Sequence, residues 1–200
     1  MRIRTLVAAA IVALATTLPA LAAALGDTAP GFTLTDASGR QVRLADYRGK
    51  FVVLEWTNPE CPFVQKHYVS RNMQGLQKEW TAKDVAWLSI NSTRSTHSEF
   101  KTGAEMAGWM RAQGAAQTAT LIDGTTATGR AYGARTTPHM FVIDPAGALI
   151  YNGAIDDRRS ANPADAKAAN NYVRAALTQA TAGTPVTVAN TVPYGCSVKY

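Results

Sequence analysis

The chain has 200 residues, of which 46% are hydrophobic and 17% charged, and it holds two cysteines. This composition can bury a sizeable core in one domain, or at most two small ones, and excludes a disordered, collagen-like or disulfide-dense protein. The net charge of +6 falls to +4 if Arg2 and Arg4 are lost with a leader, leaving 18 basic against 14 acidic residues. With no basic run longer than Arg158-Arg159, that is a solvated surface and not a nucleic-acid footprint.

In chain order, Arg2 and Arg4 precede an apolar run from Leu6 to Ala15 and the small-residue stretch Ala20-Leu21-Ala22-Ala23-Ala24. A basic end, an apolar stretch and an A-x-A site predict a secretory signal peptide over residues 1–24, an exported periplasmic or secreted protein, and no stable membrane contact after cleavage. Export places the chain where a disulfide can persist. No linker or repeat divides the remainder, so one domain over residues 25–182 is predicted, followed by a tail over 183–200.

Phe32–Thr35 and Gln41–Leu44 read as short strands around the turn Asp36-Ala37-Ser38-Gly39. Phe51–Trp56 has the nearly continuous apolar character of a central buried strand, broken by Glu55. A tight turn follows, then a helix over Phe63–Trp80 with Pro62 in its first turn. Val85–Ile90 is a strand, Glu99–Gln113 a helix, Ala119–Ile122 a strand and Thr125–Tyr132 a short helix stopped by Gly133. His139–Asp144 and Leu149–Asn152 flank a turn and predict a hairpin; Ala164–Ala180 predicts the last helix. The order is that of an α/β sandwich around a mixed sheet. Trp80, Trp87 and Trp109 read as core.

Cys61 stands where the central strand ends and a helix begins, so unpaired backbone N–H groups and the positive dipole end point toward its sulfur and favour the thiolate. A helix terminus supplies about 0.3 to 2 kcal/mol, which activates the thiol in part. Glu55, six residues earlier, is costly to bury ionised. It is either a proton carrier of raised pKa serving the thiol, or it points to an edge or pairs with Lys50 or another cation.

Strand, turn, cysteine and helix, with the later run Thr137-Pro138-His139-Met140-Phe141-Val142-Ile143-Asp144, resemble the thioredoxin fold. Ala29-Pro30-Gly31-Phe32-Thr33-Leu34 with Leu44-Ala45-Asp46-Tyr47-Arg48-Gly49-Lys50 resembles the opening of the peroxiredoxin-like redoxins, the alkyl hydroperoxide reductase and thiol-specific antioxidant group. The resemblance covers roughly residues 26–180. It implies a thioredoxin-like three-layer sandwich, a mixed central β-sheet flanked by helices, with an N-terminal β-hairpin. It also implies a cis Thr137–Pro138 bond beside the nucleophile that keeps the sulfur accessible, with the backbone of Thr137 pairing with an extended thiol-bearing substrate and Pro62, Asn58 and His139 around it. Three departures stand out. Val64 occupies the second position of a C-x-x-C pair, Asn58 replaces the threonine or serine three before a peroxidatic cysteine, and Pro138 replaces the catalytic arginine, with Arg135 as a nearby cation.

Cys196 lies in Pro193-Tyr194-Gly195-Cys196-Ser197-Val198-Lys199-Tyr200, an ending similar to that of related redoxin-like sequences, which implies a folded tail. It is a resolving thiol for Cys61, a permanent staple whose loop of about 135 residues is worth roughly 5 kcal/mol, or a thiol left unpaired or bonded to another molecule. His67 falls on a different helical face from Cys61 and reads as solvated; His97 has no evident partner; His139, next to Pro138, either faces the sulfur or is a packed or exposed strand-end ring. Neither a zinc spacing, the C-x-x-x-C plus histidine pattern of copper-delivery redoxins, a phosphate loop nor a serine elbow occurs, so no metal or cofactor is expected. The expectation is an exported thiol oxidoreductase in which Cys61, Cys196, Glu55, Thr137 and Pro138 do the chemistry. Its substrate is a small hydroperoxide or a protein disulfide, and its electron donor a thioredoxin-like protein or a small thiol. The alternative is a noncatalytic redoxin-fold binding or structural module stapled by Cys61–Cys196.

Overall fold

The structure, a computed structural model, describes residues 23–200. The leader expected over residues 1–24 lies, but for its last two residues, outside the described residues. Among the described residues no helix is long and apolar enough to cross a membrane.

The apolar run at the centre of the sequence becomes the centre of the sheet. The first strands are β1 (Thr33–Asp36), β2 (Gln41–Arg43) and β3 (Val52–Trp56); every residue of β3 is buried. Helices α1 (Pro62–Val69) and α2 (Asn72–Thr81) lead to β4 (Ala86–Asn91), then α3 (Gly103–Gln113), β5 (Ala119–Ile122) and α4 (Ala127–Tyr132). A two-residue strand β6 (Thr136–Thr137) precedes the hairpin β7 (His139–Ile143) and β8 (Leu149–Gly153), helix α5 (Tyr172–Thr181) and a last short strand β9 (Cys196–Ser197). Seven strands form one sheet in the order β2-β1-β5-β4-β3-β7-β8, parallel at β3–β4 and β4–β5 and antiparallel elsewhere. The mixed sheet flanked by helices follows from the element order, and with its N-terminal hairpin it is the thioredoxin-like sandwich that the resemblance implies.

Alternation along β3 sorts the core. Val52, Leu54 and Trp56 join Leu34, Leu88, Tyr132 and Phe141 on one face. Val53 joins Val64, Met73, Trp87, Met106 and Leu177 on the other, the face carrying α1, α2, α3 and α5. Trp80 and Trp87 are buried, and Trp109 packs partly buried against the same cluster.

Three helices differ from expectation. The single helix over Phe63–Trp80 is broken, because Arg71 takes a left-handed φ of 61°; Gln74 Nε2 donates to the carbonyl of Tyr68 at 2.9 Å across the break. The third helix starts four residues late, where Thr102 and Glu105 form a reciprocal capping box. The expected Ala164–Ala180 helix is a 3-10 turn over Pro163–Lys167 followed by α5, which starts where the Asn171 side chain accepts from the Arg174 N–H.

Candidate active site

The turn after β3 is built by one side chain. Asn58 Oδ1 accepts from the Glu60 N–H at 3.0 Å, its carbonyl accepts from the Cys61 N–H at 3.1 Å, and its Nδ2 donates to Glu99 at 2.7 Å. Asn58 is 3% exposed, so the residue expected to touch substrate instead spends its amide on shaping the loop. The turn delivers Cys61 as the N-cap of α1, with Pro62 at its first position, where the helix terminus favours negative charge on sulfur. Pro62 itself is exposed.

Across from the thiol lies the Thr137–Pro138 peptide, which is cis. The Cys61 S–H donates to the carbonyl of Thr137 at 2.9 Å, so the sulfur and this peptide meet as the fold implies. One expectation fails here: Cys61 is 1% exposed, although a strand-end thiol was expected to stand open. The cause is the tail. β9 pairs antiparallel with β6, setting Cys196 opposite Thr137 and Ser197 opposite Thr136. The edge expected to receive a substrate strand is therefore filled by the chain's own C-terminal segment.

Both cysteines are free thiols, Cys61 buried and Cys196 partly open. Cys196 and Cys61 meet at the same Thr137 peptide; burial first, and then the neighbouring Cys61, pushes the Cys196 pKa up to about 12. Gly195 makes this approach feasible. It adopts φ +138°, and a Cβ at that position would run into the Thr137 carbonyl.

Tyr194, two residues before Cys196, anchors the tail. It is 6% exposed and its ring packs edge-to-face on Phe63 at 5.9 Å. Its hydroxyl donates to Asp156 Oδ1 and lies 3.2 Å from both Lys66 Nζ and His67 Nε2. The side chains of Lys66, His67 and Asp156 have no exposure, and Lys66 Nζ stands 3.6 Å from Asp156 Oδ2. His67, expected on a solvated face, is thus buried; burial, with Lys66 beside it, lowers its pKa to about 3. Sequence reasoning missed Tyr194, Lys66 and Asp156. A signal existed for His67: it lies three residues after Val64, on the apolar arc of α1.

Glu55 points to the α1 face and is fully buried. Its carboxylate accepts from Tyr68 Oη at 2.8 Å, Trp87 Nε1 at 2.8 Å, Ser89 Oγ at 2.9 Å and Gln77 Nε2 at 3.2 Å. Burial raises its pKa, and the four donors oppose the rise. Lys50 pairs instead with Asp84. No hydrogen bond joins Glu55 to either cysteine among its contacts.

His139 also spends both ring nitrogens inside the fold. Nδ1 accepts from the Arg135 N–H at 3.2 Å, which makes Nε2 the donor to Asn152 Oδ1 at 2.8 Å. Burial lowers its pKa to about 4, so of the two readings the packed one holds, and the neutral ring acts as a structural strut. His97 caps its own loop by accepting from the Glu99 N–H. The Arg135 carbonyl accepts from the Val198 N–H of the tail at 3.1 Å, while its side chain is exposed.

The sequence profile of the AhpC/TSA family matches residues 25–152. Over 63 residues the chain is 43% identical to "Thiol-disulfide oxidoreductase ResA" of Geobacillus thermodenitrificans (strain NG80-2), covering 28% of this chain and 36% of that protein. The chain thus spans about a third of the length of the curated relatives it matches. An uncharacterized conserved protein from Geobacillus kaustophilus superposes with a TM-score of 0.78 at 29% identity, over 92% of this chain and 98% of that one. A putative thiol:disulfide interchange protein DsbE from Chlorobium tepidum shares the fold, with a TM-score of 0.58 at 23% identity over 78% and 97% of the two chains.

Proposed function

The chain belongs to the AhpC/TSA family, and from that premise we propose that it is an exported thiol–disulfide oxidoreductase whose redox couple is Cys61 and Cys196. The observation that carries this reading is the pairing of Cys196 with Thr137, whose carbonyl accepts from Cys61; it brings a thiol 135 residues away in sequence to the same peptide as Cys61. A local C-x-x-C dithiol is replaced by one assembled through the fold. In each cycle the two thiols pass two electrons to a disulfide, forming the Cys61–Cys196 bond and releasing two thiols; a thioredoxin-like protein or small thiol restores the dithiol. The leader over residues 1–24 directs export, residues 25–182 form the redoxin body and residues 183–200 bring the second cysteine. Thr137 and Pro138 shape the site. Glu55, held by Tyr68, Trp87, Ser89 and Gln77, braces β3 behind α1 and does not reach the couple directly.

Family membership favours a second reading, reduction of a small hydroperoxide. There Cys61 is oxidised to a sulfenic acid with loss of an alcohol or water, and Cys196 displaces the hydroxyl to close the disulfide. Against it stand the engaged side chain of Asn58 and Pro138 in place of an arginine.

The test exposes reduced protein to oxidised glutathione or to hydrogen peroxide and maps the bonds by mass spectrometry. The couple predicts an intramolecular Cys61–Cys196 bond within minutes with the disulfide, abolished by either Cys→Ser substitution. Faster closure with peroxide, and a sulfenic acid on Cys61 in Cys196→Ser, would move the weight to the hydroperoxide. A chain that forms no Cys61–Cys196 bond with either oxidant refutes both.

A further inference from the structure

The two cysteines differ in exposure. Cys61 is 1% exposed and lies beneath the tail, whereas Cys196 is partly open. This roof is no loose flap. Before Cys196, the Tyr194 hydroxyl is held by Asp156, Lys66 and His67. Beyond it, the Val198 N–H donates to Arg135, the Arg94 N–H donates to the Lys199 carbonyl at 2.9 Å, and Tyr200 Oη donates to the Ala134 carbonyl. Lifting it would strand fully buried charged groups whose lost partners water cannot at once replace. Direct attack on Cys61 therefore requires a costly undocking, and attack on Cys196 does not.

We infer that the external thiol or disulfide reacts at Cys196, and that Cys61 is the internal partner that exchanges only with Cys196. The inference rests on the redox couple proposed above and reverses the order in which the sequence pattern casts the two cysteines. In the reductive direction a thiolate attacks Cys196 Sγ. A bond forms between the two sulfurs, the Cys61–Cys196 bond breaks, and its electron pair departs on Cys61, which then takes up a proton. A second thiol of the reductant attacks the sulfur now attached to Cys196, so that the reductant leaves as its disulfide and Cys196 regains its thiol. Oxidation runs through the same mixed disulfide in reverse, with Cys61 closing the internal bond.

Leaving-group chemistry agrees with the exposure. The departing sulfur is Cys61, which stands at the N-terminus of α1, where developing negative charge is stabilised. The tail also occupies the β6 edge, so a protein partner meets Cys196 from the solvent side without pairing as a strand.

The experiment uses the full chain, oxidised to its internal disulfide and pulsed with reduced glutathione. It is quenched in acid within the first half-life, alkylated with N-ethylmaleimide and mapped by mass spectrometry. Glutathione on Cys196 with the alkyl group on Cys61 is expected at least about tenfold over the reverse pattern. Glutathione on Cys61, in equal or greater amount, overturns the order of attack while leaving the couple intact. Oxidised protein that carries no Cys61–Cys196 bond before the pulse overturns the couple itself, and this inference with it.

Discussion

Tyr194 concentrates the physics of the site in one hydroxyl. It donates to a buried carboxylate and sits against a buried ammonium, and hydrogen bonds to charged groups are worth about 1.5 to 3 kcal/mol. Tyr194→Phe keeps the ring on Phe63 but leaves Asp156 one donor short. It should cost roughly 1.5 to 3 kcal/mol in urea unfolding and raise the alkylation rate of Cys61, which reports opening of the roof, about tenfold or more. An alkylation rate equal to that of the unsubstituted chain would mean that the hydroxyl does not hold the tail. At this scale the sequence disclosed the residues whose chemistry depends on type and local position: Cys61 at a strand-to-helix turn, Pro138 after Thr137, and Glu55 in an apolar strand. It misplaced Asn58, His67 and His139, because whether an amide or imidazole is free depends on partners far along the chain, such as Glu99, Tyr194 and Asn152.

Secondary elements were legible where local chemistry sets them. The strands around Asp36–Gly39, the central strand and the hairpin after Pro138 follow from alternation and turn residues. The starts of α3 and α5 were misjudged, although their caps, Thr102-x-x-Glu105 and Asn171, stand in the sequence. The break between α1 and α2 was not legible, since an arginine in left-handed geometry carries no glycine or proline signal. Pairing of β6 with β9 was the least legible, being two residues on each side joined by tertiary packing. It also depends on a single glycine. Gly195→Ala puts a methyl group against the Thr137 carbonyl at a φ that alanine resists. The substitution should slow internal disulfide formation at least about tenfold and remove amide-exchange protection from residues 196–197 while the seven-stranded sheet stays protected. Protection and closure rates like those of the unsubstituted chain would show that β9 docks by other means.

For the whole molecule, two buried imidazoles couple stability to pH. His67 and His139 have pKa values lowered to about 3 and about 4 by burial, against about 6.5 in an unfolded chain. Below pH 6.5 the unfolded state binds a proton at each that the native state refuses, so stability is present at neutral pH and falls as pH drops toward 4. At pH 5 the loss is about 2 kcal/mol for each histidine relative to pH 8. Glu55 acts with the opposite sign: its pKa is raised, so its cost to the native state fades as pH falls. Urea titrations of His67→Gln and His139→Gln at both pH values separate these effects. Each substitution should remove about 2 kcal/mol of the difference; an unchanged difference would mean that these rings are not kept neutral by the fold. The fold class was readable from element order, but the return of the tail across the sheet's end was not, because burial and distant partners determine it.

All of these effects converge on whether two distant cysteines form one redox couple. The full chain is equilibrated with glutathione buffers of graded ratio, acid-quenched and alkylated, and the fraction carrying the Cys61–Cys196 bond is read by mass spectrometry at two protein concentrations. The account predicts one two-electron transition, independent of protein concentration, with Cys61 and Cys196 oxidised together. Glutathione accumulating on either cysteine in place of the internal bond, or oxidation that appears only as a concentration-dependent dimer, would contradict it.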